Sequence, residues 1–75
     1  MFKLENAGIE CVRNGILQGK RAYRKDWNNC YIIAQDRVIL KAVRNDVYTA
    51  YYNYDIPHSD FFAVDWVVQD NTYED

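Results

Sequence analysis

Ile9-Glu10-Cys11-Val12-Arg13-Asn14-Gly15-Ile16-Leu17-Gln18-Gly19, running directly into Lys20-Arg21-Ala22-Tyr23-Arg24-Lys25-Asp26-Trp27, is the stretch on which the fold turns. Ile9, Val12 and Ile16 recur at spacings of three and four, with Leu17 beside them. That is one apolar stripe of a helix expected from about Glu5 to Gln18. Gly15 lowers helix propensity there but lets another part of the chain come close. Gly19 stands where a left-handed residue closes a helix. From Arg21 onward the period changes to that of strands, with aromatic and basic residues alternating.

Working outward, Asn28-Asn29 reads as a turn, Cys30–Ala34 as a β-branched run, and Gln35-Asp36-Arg37 as a second turn. Val38–Val43 is the next apolar run, closed by Arg44-Asn45-Asp46. In Val47–Tyr54 the residues Tyr48, Tyr51, Tyr52 and Tyr54 fall on both faces, which predicts burial on one side and a partner on the other. Pro57 breaks this strand. Ser59 or Asp60 is a candidate cap for one helical turn through Ala63. Asp65–Val68 returns to strand character, and residues 70–75 read as a frayed acidic tail. The expected fold is α+β: one domain spanning residues 1–75, with one N-terminal helix packed on a four- to five-stranded antiparallel sheet. The strands lie within residues 20–54 and 64–69, and short connections favour hairpins.

Seven Tyr, three Phe and two Trp in 75 residues exceed what so small a core hides, so some are expected at a subunit junction or a ligand surface. A homo-oligomer, dimer or tetramer, is expected. The net charge of −2 argues against duplex DNA as a partner. Lys20, Arg21, Arg24 and Lys25 nevertheless form a basic stretch able to hold a small anion. No apolar run is long enough to span a bilayer and no signal-peptide pattern opens the chain. Cys11 and Cys30 are isolated and read as reduced thiols of a cytosolic protein. With one His, most routes to a metal site are closed, and no cofactor is expected.

Two constellations carry chemistry. On a strand, Ala22, Arg24 and Asp26 would share one face and Arg21, Tyr23, Lys25 and Trp27 the other. The second set alternates cations with aromatic rings, suited to phosphate and base, or equally to a solvated edge with Trp27 anchoring a core. In Asp60-Phe61-Phe62-Ala63-Val64-Asp65-Trp66-Val67-Val68, Asp65 is placed to accept bonds from ribose hydroxyls, to pair with Arg24, or to cap backbone amides beside a core Trp66. His58-Ser59-Asp60 matches a catalytic triad only in letters, because sequence neighbours on a loop do not form its line of side chains. No glycine-rich phosphate loop is present, and an enzyme is not expected.

Gly19-Lys20-Arg21-Ala22-Tyr23-Arg24-Lys25-Asp26-Trp27-Asn28 and Asp60–Val68, in this order after a short helix, resemble the two motifs of the phage Thoeris anti-defence proteins of the second type. Tyr23 and Val64 depart from the family pattern, and residues 30 to 58 have no counterpart in it. The resemblance implies a small homo-oligomeric protein, cytoplasmic in an infected bacterial host. It would sequester a cyclic ADP-ribose-like signal, or another cyclic nucleotide, without cleaving it. It further implies Arg24 at a pyrophosphate, Trp27 as a stacking wall, and Asn28 and Asp65 at ribose or adenine. Tyr23 is a ligand-binding candidate from the alternation of cations with aromatic rings, not from the resemblance. Two rival readings stand beside it. One is a protein–protein inhibitor of a host enzyme acting through the tyrosine-rich strand, and the other a single-stranded nucleic-acid binder. A hydrolase of the same nucleotides would be told apart by product release.

Overall fold

The computed structural model describes residues 2–71. Along the chain run β1 (Lys3–Ala7), α1 (Ile9–Leu17), β2 (Arg21–Arg24), β3 (Cys30–Gln35), β4 (Val38–Arg44), β5 (Thr49–Asn53), α2 (His58–Phe61) and β6 (Trp66–Gln69). The fold is α+β, with the N-terminal helix packed on an antiparallel sheet. That sheet has six strands, in the order β1-β6-β2-β3-β4-β5, rather than four or five.

The additional strand is β1, and the helix starts at Ile9 rather than near Glu5. Asn6 adopts φ 55° and the β1–β6 register shifts between Leu4 and Ala7, an irregularity within β1 after which Ala7 still pairs with Trp66. Gly8 then enters the helix from an extended conformation without a side-chain cap. The sequence disguised β1 because Lys3, Leu4, Glu5 and Asn6 are all exposed and show no alternation. Val12 and Ile16 are buried, whereas Leu17 points away from the stripe and is exposed. The helix closes as foreseen. Gly19 has φ 89°, its N–H donates to Ile16 O, and Lys20 N–H donates to Gly15 O at 2.9 Å, a Schellman closure.

β6 is inserted between β1 and β2, so both its edges are paired, and Trp66, Val67 and Val68 are all buried. Asp70, expected in the frayed tail, extends this pairing. Its carboxylate accepts the Phe2 N–H at 2.9 Å and its own N–H donates to Phe2 O. Residues 72–75 of that expected tail, including Glu74 and Asp75, lie outside the described residues. The β3–β4 hairpin is joined by Asp36 and Arg37, with φ 52° and 67°, a two-residue turn of type I′ that pairs Gln35 with Val38.

One face of the sheet carries the core. Val12 and Ile16 of α1 pack there with Ala7, Ala22, Ile32, Trp66 and Val68. Gly15 sets the distance, since a Cβ at that position would come within 2.5 Å of Val68 Cγ1. Neither Ser59 nor Asp60 caps α2. Pro57 occupies the cap position and offers no side-chain bond, while Asp60 lies inside the turn.

Candidate functional site

β2 carries Arg21 and Tyr23 to one face and Ala22 and Arg24 to the other. The alternation stops at Arg24, because Trp27 N–H turns back to Arg24 O at 3.0 Å. Trp27 therefore does not join Arg21 and Tyr23, as strict alternation predicted. It swings to the helix side, edge-on to Trp66 (5.3 Å between centroids) and to Tyr54 (5.9 Å). The Lys41 ammonium lies over its ring at 4.2 Å.

Arg24 is held by two carboxylates. Its Nε and Nη2 donate to the two oxygens of Asp65, and Nη1 donates to Asp60 Oδ1 at 2.5 Å. Asp60 also accepts the Tyr54 hydroxyl, and its backbone carbonyl accepts Trp66 Nε1–H at 2.9 Å. Of the three uses foreseen for Asp65, the geometry displays the Arg24 pairing. Hydrogen bonds from Arg24 hold the Asp65 carboxyl below its usual range, and the same bonds raise the guanidinium. Burial, followed by the bond to Asp60, pushes the Tyr54 hydroxyl well above its usual value. This network fastens α2 beneath the sheet. A pyrophosphate reaching Arg24 would have to displace a carboxylate from it. Asn28 is exposed in the loop after β2.

The opposite face is different. Among the described residues no helix packs on it, and the strand register places Arg21, Tyr23, Tyr31, Ile33, Leu40, Ala42, Arg44, Tyr51 and Val67 there. From β2 to β6, none of the strand residues on this side is Asp or Glu. The face is thus cationic although the whole chain carries −2. The Arg21 guanidinium lies 4.3 Å from the Tyr31 ring centre and its Nε–H donates to Asn71 Oδ1. The Tyr23 hydroxyl donates to Gln69 Oε1 at 2.9 Å. Ala42 sits between Tyr31 and Tyr51 across the strands and is fully buried by them. Burial raises the Tyr31 hydroxyl above its usual value.

Hollows formed by the described residues on this side include two that bear on the site. One of about 230 Å³ is lined by Arg21, Tyr23, Trp27, Tyr31, Arg44 and Gln69. The other, of about 400 Å³, lies between Gly19, Lys20, Ile33, Gln35, Tyr51 and Asn71. Of the residues singled out from sequence, Tyr23 and the edge of Trp27 reach the first hollow, while Arg24 and Asp65 do not line it. Tyr31 and Arg44 were not singled out. The two-residue turn at Asp36-Arg37 was the signal that would have placed them, since it sets the β3–β4 register.

Among the described residues, no group of three or more His, Cys, Asp or Glu side chains stands in metal-holding geometry, and no helix is long and apolar enough to cross a membrane. Both cysteines are free thiols. Comparison with known families, with curated proteins and with solved structures gives no match in any of the three.

Proposed function

We propose that this chain is a non-catalytic nucleotide-binding protein that sequesters a cyclic ADP-ribose-like or other cyclic nucleotide signal, as an anti-defence protein of a phage would inside its host. The observation that carries the reading is the helix-free face, where arginines and tyrosines alternate without a carboxylate among them. A cyclic dinucleotide-like ligand offers phosphates for Arg21 and Arg44 and a base for Tyr23 or Tyr31 to stack on. Arg24 and Asp65 serve this site indirectly, by holding the end of β2 and the start of β6 in place. The 230 Å³ hollow is smaller than the roughly 300–1,000 Å³ of pockets that bury a ligand of this size. One chain therefore supplies part of a site, and closure by another surface completes it. Nanomolar capture demands about 12 kcal/mol, which an open hollow does not provide.

The test is capture and release. The protein is incubated with cyclic ADP-ribose isomers and cyclic di- and trinucleotides, filtered, then heat-denatured, and both fractions are read by mass spectrometry. An intact nucleotide recovered only after denaturation supports the reading. A chemically altered product makes the chain an enzyme, and depletion of none of the panel removes the nucleotide reading.

A further inference from the structure

The two edges of the sheet are built differently. β1 carries Lys3 and Glu5, ion-paired at 3.6 Å, an irregular register, and Asn6 in the left-handed region with its side chain bonded to Lys25. Charges and bulges of this kind block further strand pairing. β5 has none of them. From Tyr48 to Tyr54 the chain holds no charge and no proline, and its pairing with β4 is continuous from Arg44↔Thr49 to Leu40↔Asn53. Tyr48, Tyr51 and Tyr52 are 62%, 53% and 59% exposed, an unusual amount of apolar area on a free edge.

The hydrogen-bond phase of this edge follows from its ends. Tyr54 N–H donates to Ile39 O, and Asn45 N–H donates to Tyr48 O. The even-numbered residues thus bond inward to β4, and Thr49, Tyr51 and Asn53 turn N–H and C=O outward.

We propose that β5 pairs antiparallel with β5 of a second copy of this chain, about a two-fold axis through Tyr51. Tyr51 then faces Tyr51 of the other copy, and Thr49 faces Asn53 in both directions, so all three outward residues exchange their bonds. The same register sets Asp46 against Ile56 and Asp55 against Val47, so no like charges meet. Because the axis is perpendicular to the sheet, the two helix-free faces join on one side. The 400 Å³ hollow lined by Tyr51 then borders the second copy. Five paired residues bury less than the ~1,200 Å² of a standard interface, so association is concentration-dependent. The inference concerns the apo protein and stands or falls separately from the ligand.

Light scattering and amide hydrogen exchange on the full chain, from about 5 to about 500 μM, test it. The expected result is a shift toward twice the 8.9 kDa chain mass, with the amides of Thr49, Tyr51 and Asn53 slowing as concentration rises. Thr49→Pro, which removes only an outward N–H, and Tyr51→Lys, which sets two ammonium groups across the axis, each return the protein to the monomer. A monomer at the highest concentration overturns the proposal. So does a dimer whose three amides exchange at the dilute rate, or one that survives both substitutions. Protection of this edge only by an added host protein would give the edge to that partner and also overturn the proposal.

Discussion

Replacing Asp60 with alanine removes the acceptor that Arg24 Nη1 and the Tyr54 hydroxyl share. Arg24 keeps both bonds to Asp65, so its charge is not stranded, and Trp66 keeps its bond to the backbone carbonyl of residue 60. The loss is one charge-assisted bond and one acceptor for a half-buried phenol. A bond to a charged group contributes about 1.5–3 kcal/mol. Arg24 and Asp60 side chains are 22% and 13% exposed, so solvent screening takes the value toward the lower end. The tyrosine bond adds about 1 kcal/mol, for a total of about 2–3 kcal/mol. A chain of this length has about 4–11 kcal/mol of stability altogether. At about 4–8 °C per kcal/mol, the unfolding midpoint drops by about 10–20 °C. Calorimetry and urea unfolding followed by tryptophan fluorescence read this directly, with Asp60→Asn, which keeps one acceptor oxygen, falling between the variant and wild type. A midpoint for Asp60→Ala equivalent to less than about 0.5 kcal/mol from wild type would refute the assignment of this network as the fastener of α2.

Gly15→Ala gains about 1 kcal/mol of helix propensity but drives a methyl to 2.5 Å from a stiff, buried valine methyl. Overpacking of this kind costs about 1–3 kcal/mol, so the variant is expected to be less stable in urea, and adding Val68→Ala should recover part of the loss. The Asp65 carboxyl is held below its ordinary value of 3.8, so its contribution to stability is complete above that pH and is lost as the pH falls through the lower, folded value. Acid titration of the unfolding midpoint should show this decline, and Asp65→Asn should flatten it. The Tyr54 hydroxyl is raised above its ordinary 10.0, so above that pH the unfolded chain releases a proton that the folded chain keeps, and stability falls. An ultraviolet titration of the folded protein should show a late-ionising tyrosine that Tyr54→Phe removes.

The helix and its closure were legible because both rest on local signals: the Val12–Ile16 spacing and a glycine that accepts φ 89°. The strands from β3 onward were legible for the same reason, each being an apolar run between turn residues. β1 was not. Lys3 to Asn6 are exposed and two of them are charged, as an edge requires, and the strand pairs with β6 at the far end of the sequence. The insertion of β6 could be suspected only from Trp66-Val67-Val68 being apolar on both faces. The site was half legible. Arg24 and Asp65 were seen as candidate partners for each other, and their bonds bear that pairing out. Strict alternation failed at Trp27 because a turn after Arg24 reverses its side, a change of direction that residue types at 25–26 do not announce. Tyr31 and Arg44 were hidden for another reason: a face exists only once the register of three strands is known.

The central claim is that the face bearing Arg21, Tyr23, Tyr31 and Arg44 holds a nucleotide intact. Capture and release with wild type and Arg44→Glu, side by side, tests it most directly, since Arg44 is exposed and its replacement leaves the Arg24 network untouched. The account predicts that wild type withdraws a cyclic nucleotide from solution and returns it unchanged on denaturation, and that Arg44→Glu folds as wild type and withdraws none. Equal capture by the two proteins, or capture lost only when Arg24 is replaced, would contradict it.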